Sequence, residues 1–224
     1  MDGILIINKE KDWTSFDVVA KVRNTLKVKV GHTGTLDPKA TGVLVLCLGK
    51  ATKLAQTMTG FDKEYVAEVT LGATSNTDDS EGEIISDLRF QISDSNFNPP
   101  NEKEISNALK EFTGEIQQVP PQFSAKKIDG RRAYKMARAG KIVDLKPSVV
   151  TVYDIEVLSY KWPKLSLKIK CGKGTYIRSI ARDLGEKLKV GGYLSALERT
   201  AVGKYRIEDA IKIGDLSAHH VIPL

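Results

Sequence analysis

Apolar and polar positions along the chain recur with two periods. Ile4 to Ile7 and Val43 to Leu48 are short unbroken apolar runs, the pattern of strands buried on both faces. Tyr65, Ala67, Val69 and Leu71 alternate with polar neighbours, which predicts a half-exposed strand over 63–72. The same alternation predicts two strands over 149–160 and 165–171, joined around Trp162-Pro163. A helical period links Phe16, Val19, Val22 and Leu26, with Thr14 or Ser15 as cap. Further helices are predicted over 51–59, ended by Gly60, and over 102–112, where Asn101 caps, Glu104 completes a capping box and Gly114 stops the element. In a last helix Ile177, Ala181, Leu184 and Leu188 form an apolar face, and Arg178 and Arg182 share the opposite side.

Two stretches escape both periods. Residues 74–98 are acidic and turn-rich (Asp78, Asp79, Glu81, Glu83, Asp87, Asp94) and read as a solvated loop with a short strand at 82–85. They lack EF-hand spacing and a nearby histidine, so they predict no metal site. The second is Gly31-His32-Thr33-Gly34-Thr35-Leu36-Asp37-Pro38-Lys39-Ala40-Thr41-Gly42, a backbone-driven turn running straight into the apolar run behind it. It holds one carboxylate, Asp37, which Pro38 biases toward an extended backbone. One acid on a stiff loop braced by a core strand suits a reactive group held still, and it equally suits an Asx-turn cap. A phosphate cradle fails: where a P-loop needs its first glycine, Gly49-Lys50 has Leu44 and Gly172-Lys173 has Leu167.

Composition narrows the class. With 41% apolar and 28% charged residues in 224, the chain can bury a sizeable core. It has no run of about 20 apolar residues that could span a membrane. Met1 and Asp2 lead directly into a strand and do not resemble a signal peptide. Cys47 and Cys171 lack CxxC spacing and read as buried free thiols, which together with the opening implies a cytoplasmic protein. The net charge is +6 and the sequence pI about 9.1. Between Ser124 and Pro147, Lys126, Lys127, Arg131, Arg132, Lys135, Arg138, Lys141 and Lys146 face only Asp129 and Asp144, an excess equal to that of the whole chain. Charge clustered between turns points to a nucleic-acid surface.

The Gly31–Gly42 loop with its following Val-Leu resembles the catalytic motif of the TruB family of tRNA pseudouridine synthases. Further segments resemble that family in order, over most of residues 3 to 206. They are Lys9 with Thr14-Ser15 (Glu10 and Asp12 replacing a usual proline and glycine), Lys63-Glu64-Tyr65, Pro121 to Lys127 with Gly130 to Tyr134, Gly174-Thr175-Tyr176-Ile177-Arg178, and Leu194 to Gly203.

The resemblance implies an α+β pseudouridine synthase fold in a single domain over 1–224. A central mixed, largely antiparallel sheet would be flanked by helices, with a basic RNA-binding insertion at about 120–147. It implies a cofactor-free isomerase, acting as a monomer without a protein partner on the T-arm of tRNA, with uridine 55 as target. The usual C-terminal PUA-type domain is expected to be absent, since Leu224 follows the Ala-Val-Gly strand by about 20 residues.

By the same resemblance Asp37 is the essential aspartate, as nucleophile or as the base that releases a glycal. Tyr65 stacks on the target base and is the candidate proton acceptor at C5, and Arg178 pairs with Asp37. Tyr176 and Leu197 line the base pocket, His32 fills the space of the flipped base, and Lys9 belongs to the substrate-binding set. Lys126, Lys127, Arg131, Arg132, Lys135 and Arg138 would grip RNA phosphates. The residues alone leave other readings open: a core tyrosine, a turn histidine, a surface Lys9, and an Arg178 ion pair with Asp183 or Glu186. A non-catalytic RNA-binding module is the rival function. A nucleoside glycosidase needs a second carboxylate, and none lies near Asp37 in sequence.

Overall fold

The computed structural model describes residues 1–86, 97–124, 126–128, 130–140 and 143–224. In chain order it contains β1 (Gly3–Lys9), α1 (Ser15–Leu26), β2 (Val30–His32), β3 (Thr41–Leu48), α2 (Ala55–Met58), β4 (Lys63–Leu71), β5 (Ala73–Ser75), β6 (Ile84–Ser86), α3 (Glu102–Lys110) and β7 (Gly114–Gln118). There follow β8 (Lys127–Ile128), β9 (Arg131–Arg132), α4 (Ala133–Arg138), β10 (Ser148–Lys161), β11 (Lys164–Cys171), α5 (Ile177–Lys187), β12 (Gly192–Val202), β13 (Tyr205–Arg206), β14 (Ile211–Lys212) and β15 (Ile222–Pro223). The chain divides into two units, one of Met1–Val66, Lys170–Lys173 and Leu197–Leu224, the other of Ala67–Ile169 and Gly174–Ala196.

The first unit is built on β1 and β3, which pair antiparallel from Gly3↔Leu48 to Lys9↔Gly42. Both strands are apolar at nearly every position, so alternate side chains must be buried on opposite faces. Ile4, Ile6, Val43, Val45 and Cys47 pack with Ala51, Met58 and Val202. Leu5, Ile7, Leu44, Leu46 and Leu48 pack with Val18 and Val22 of α1 and with Ile213. Each such side chain contributes about 1.5–3 kcal/mol by leaving water. The sheet is mixed: β14 runs parallel to β1 and β12 parallel to β3, while β2 and β15 add antiparallel.

Thr14 caps α1 through a capping box with Asp17. The helix turns Val18 and Val22 inward and leaves Phe16 exposed, so Phe16 is not part of the apolar face expected for it. The helix expected over 51–59 is a 3-10 turn, Gly49–Leu54, followed by the single-turn α2.

In the second unit the strands lie in the order β4, β11, β10, β7, with β7 antiparallel to β10. The capping box of Asn101 and Glu104 on α3 is formed as expected. The acidic stretch differs from expectation: its strand is Ile84–Ser86, paired with Ala73–Ser75 in a hairpin, and Asp79 is buried. Asp87 and Asp94 lie outside the described residues. Basic residues of the 124–147 segment form the ladder Lys127↔Arg132, followed by the short helix α4.

Gly42 shows how closely β3 and β12 approach. Its φ is +100°, and a Cβ there would meet the Arg199 carbonyl oxygen and lie 2.8 Å from the Arg199 nitrogen. Gly42→Ala is expected to lower stability by about 2–4 kcal/mol in urea unfolding, because backbone rather than a flexible side chain must move.

Candidate active site

The loop between β2 and β3 satisfies its backbone through side chains brought from elsewhere in the first unit. Thr33 N–H and Oγ1 both donate to the Val45 carbonyl, at 3.1 and 3.4 Å. Arg199 donates to the carbonyls of Gly34 (3.1 Å) and Thr35 (3.4 Å). The Ser15 hydroxyl, at the start of α1, accepts from Leu36 N–H at 2.9 Å and donates to its carbonyl at 3.1 Å. Ala40 N–H closes a turn onto the Asp37 carbonyl at 3.1 Å. The Pro38 carbonyl accepts from Asp12 N–H (2.9 Å) and from Lys9 Nζ (3.1 Å). Lys39 pairs with Asp12 at 2.6 Å. Asp37 itself is half-buried.

Lys9 is 0% exposed, and its ammonium also donates to the carbonyls of Glu10 (2.9 Å) and Trp13 (2.7 Å). The reading of Lys9 as a surface charge therefore gives way to that of a buried brace beneath the Asp37 loop. The glutamate and aspartate that replace the familiar proline and glycine are accommodated: Asp12 takes a left-handed backbone, φ 68°, and holds Lys39.

Tyr65 points into the same unit and is buried, on the inward face of β4. Burial pushes its phenol above the ordinary tyrosine value, Cys171 and Asp37 add to the rise, and the Arg199 guanidinium, by charge and by hydrogen bonding, opposes it. Burial likewise pushes the ammonium of Lys63 down, with Arg199 adding repulsion, while Lys63 donates to the carbonyls of Thr59 and Phe61. His32, the last residue of β2, meets the ring of Phe16 edge-on with centroids 5.6 Å apart. Burial first, and Arg199 second, push its imidazole below the usual histidine value. Leu197 is half-buried on β12, and its carbonyl accepts from Thr41 Oγ1. The first unit thus gathers Asp37, Tyr65, His32, Lys9 and Leu197 among the expected site residues, and adds two buried cations, Lys63 and Arg199. Neither was singled out from the sequence. Arg199 had a readable signal, because it occupies an inward position in the alternation Leu197, Arg199, Ala201.

Arg178 and Tyr176 lie in the second unit at the start of α5. Arg178 is only 7% exposed, so it lies on the buried side of α5 and not on the solvent side expected for it. It meets Asp79 at 3.2 Å and donates to the carbonyls of Thr77 (3.3 Å) and Phe123 (3.2 Å). Of the alternative partners, Asp183 pairs with Arg182 instead, which also holds Asp78 at 2.9 Å and the Val119 carbonyl at 3.0 Å. Burial raises the Asp78 carboxyl, against the pull of Arg182. Tyr176 exchanges two bonds with the Gln118 side chain, N–H to Oε1 at 2.8 Å and Nε2 to carbonyl at 3.0 Å. Ser179 Oγ donates to the Val119 carbonyl at 2.8 Å. The root of the basic insertion is therefore fastened to the first turns of α5. Within the insertion Lys135 and Arg138 are exposed, Arg138 lies 5.7 Å over the Tyr134 ring, and Lys126 is half-buried. The side chains of Lys127, Arg131 and Arg132 and the whole of Lys141 lie outside the described residues. Among the described residues there is no cluster able to hold a metal ion.

The chain resembles known proteins over nearly its whole length. Residues 21–177 match the family model described as TruB family pseudouridylate synthase (N terminal domain). Residues 178–222 match that of the tRNA pseudouridylate synthase B C-terminal domain. The tRNA pseudouridine synthase B of Clostridium kluyveri is 44% identical over 223 residues, covering 99% of this chain and 74% of that protein. Its counterpart in Borreliella burgdorferi is 46% identical over 226 residues, covering 100% and 77%. Among solved structures, a chain of a Cbf5–Nop10–Gar1 complex superposes with a TM-score of 0.73 at 32% identity, covering 96% of this chain and 53% of that one. A chain of an H/ACA RNP bound to a substrate RNA containing 2′-deoxyuridine gives 0.69 at 30% identity, covering 96% and 52%. The chain thus spans about half the length of these two solved chains, and its fold is that of the pseudouridine synthases.

His32 supplies a pH test. Its folded-state value is depressed, so the unfolded chain binds the extra proton first as pH falls. The stability from keeping this imidazole neutral is complete above pH 6.5, the ordinary histidine value, and is lost as pH drops below it through the folded-state value. Urea midpoints between pH 7.5 and 5 are expected to fall in the wild type and to fall less in His32→Phe. In a histidine NMR titration His32 should protonate below the ordinary histidine value of 6.5.

Proposed function

The chain belongs to the TruB family of pseudouridylate synthases, and we infer that it isomerises uridine in tRNA to pseudouridine. It is an isomerase: the N1–C1′ bond of the nucleotide breaks, C1′ rejoins the base at C5, and the C5 proton leaves. The target is the T-loop uridine at position 55, flipped out of its stack because those atoms are otherwise hidden.

The observation that supports the assignment of roles is the fastening of the Asp37 loop at Gly34, Thr35, Leu36 and Pro38, in the same unit as the buried Tyr65. Asp37 is the group that meets the sugar, either bonding to C1′ or removing the proton whose loss gives a glycal. In both routes its carboxylate stabilises positive charge on the sugar, and a fixed loop makes that stabilisation available without reorganisation. Tyr65 stacks on the base. Its ring is flat and apolar, and its hydroxyl is the acceptor for the C5 proton. A buried phenol with a raised pKa is protonated at neutral pH, so the proton it takes must be matched by one it gives up.

Leu197 lines the base pocket, and Tyr176 and Arg178 at the start of α5 supply the aromatic ring and the cation of the family motif. His32 occupies the place of the extruded base, and Lys9 serves the site by holding Pro38. The insertion binds T-arm phosphates through Lys126, Lys127, Arg131, Arg132, Lys135 and Arg138, which steers the tRNA without reading its sequence. The enzyme works as a monomer in the cytoplasm, and no helix among the described residues is long and apolar enough to cross a membrane.

The test uses tRNA transcript carrying tritium at C5 of its uridines, with no metal or nucleotide added. Wild type is expected to release about one equivalent of tritium to water, and Asp37→Asn at least about 10³-fold more slowly, the scale of losing a nucleophile or base. Binding of the tRNA without release by wild type would favour a non-catalytic RNA-binding module.

A further inference from the structure

Arg199 has none of the roles above, yet it is among the most deeply buried large side chains, 2% exposed. Taking a guanidinium out of water costs several kcal/mol, and an apolar residue of similar volume would fill a strand position at least as well. Its presence calls for a reason in what it touches. Nε donates to the Val43 carbonyl at 2.8 Å, and its two terminal nitrogens to the carbonyls of Thr35 and Gly34 at 3.4 and 3.1 Å. The same guanidinium lies near the buried Tyr65 phenol and opposes the rise that burial imposes on its pKa. Gly34 and Thr35 stand three and two residues ahead of Asp37, and Tyr65 is the residue that senses the Asp37 charge. A rigid planar fork holds such acceptors at fixed separation, which an ammonium on a flexible stem does not.

We propose that Arg199 is a positioning residue for the reaction, locking the Gly34–Thr35 carbonyls and the Tyr65 hydroxyl into one frame so that Asp37 and Tyr65 keep a fixed relation. The inference rests on the reading of Asp37 and Tyr65 given above. Its surroundings agree with it. The register Arg199↔Gly42 places it beside the end of the loop, where a side chain at Gly42 would collide with the Arg199 backbone. The groups that face Tyr65 electrostatically are Arg199, Cys171 and Asp37, and Arg199 alone among them favours the ionised phenol. Arg199 is also the charged group that, after burial, lowers the His32 imidazole.

The test compares full-length Arg199→Lys and Arg199→Gln with wild type in the tritium assay, after thermal melts confirm folding. Lysine keeps the charge but loses the fork. Its kcat is expected to fall about tenfold, with KM for tRNA within about twofold and the shape of the kcat–pH profile unchanged. Glutamine loses both. Its kcat is expected to fall about 10²-fold, the scale of a misplacement near 1 Å, with the Tyr65-dependent limb displaced to higher pH. In NMR the His32 titration should move up in Arg199→Gln and stay in place in Arg199→Lys. Wild-type kcat in Arg199→Lys overturns the proposal. So does a loss in both variants that merely follows the fraction folded, with pH profile and His32 unmoved. If Arg199→Gln does not fold, Arg199→Lys decides alone. If wild type releases no tritium, the functional reading has failed separately, and an unmoved His32 in Arg199→Gln overturns the frame on its own.

Discussion

Carbonyl oxygens that no strand or helix can satisfy are the constraint on which the candidate site depends. Residues 34–38 must turn sharply between β2 and β3, so their backbone groups cannot join a ladder, and buried orphans would each cost about 1–3 kcal/mol. Donors arrive from three places in the sequence. Lys9 ends β1, Ser15 begins α1, and Arg199 sits on β12. Each is fixed in turn by the element that carries it, so the position of Asp37 follows from the packing of β1, β3 and α1 and not from the loop alone. The loop's glycines and Asp-Pro give the chain permission to turn; the buried donors decide which turn it takes.

The second unit uses the same device with different residues. Arg178, Ser179 and Arg182 lie within one and a half turns of α5, and their bonds go to Thr77, Asp78 and Asp79 on one side and to Val119 and Phe123 on the other. With the Gln118–Tyr176 exchange, this ties the root of the basic insertion to a rigid helix. Phosphate contacts carry no sequence information, so a basic segment contributes to recognition only insofar as its base is oriented. The acidic stretch after β5 thereby has a structural role. Asp78 and Asp79 are the anions that let Arg178 be buried and Arg182 half-buried near the start of α5.

Periodicity revealed the strands and helices because it reports directly which positions must leave water. The β1 and β3 runs, the β4 alternation and the Asn101–Glu104 capping box could be read without a structure. Helix phase was only partly legible: Val19, Val22 and Leu26 pack against the core as read, while Phe16 is exposed and Val18 is buried in the first turn. The Asp37 loop stood out through motif resemblance, since neither period nor propensity singles out one turn aspartate. What stayed hidden were the long-range partners. Lys9 reaches 29 residues to Pro38, and Arg199 reaches 165 residues back to Gly34. No local pattern distinguishes a lysine that will donate to three buried carbonyls from one in solvent. The strand arginine was visible only as a charge at an inward position, a violation of local rules of the kind that functional sites produce.

Such violations need a source of stability elsewhere in the same unit. Lys9, Lys63 and Arg199 are all desolvated, and the direction of the Lys63 shift shows that burial disfavours its charge. Against this stand two apolar clusters that share the β1–β3 pair, with Leu5, Ile7, Leu44, Leu46 and Leu48 on one face and Ile4, Ile6, Val43, Val45 and Cys47 on the other. At about 1.5–3 kcal/mol for each buried side chain, these clusters are large enough to offset several desolvated cations. The division of labour follows from strand geometry. The middle of β1 and β3, apolar on both faces, supplies cohesion. Their loop-proximal ends, Lys9 and Gly42, lie where the chain leaves the core, and there cohesion gives way to positioning. A lysine that ends one strand and a glycine that pairs with it across the ladder are what allow a rigid core to hold a reactive carboxylate at its edge.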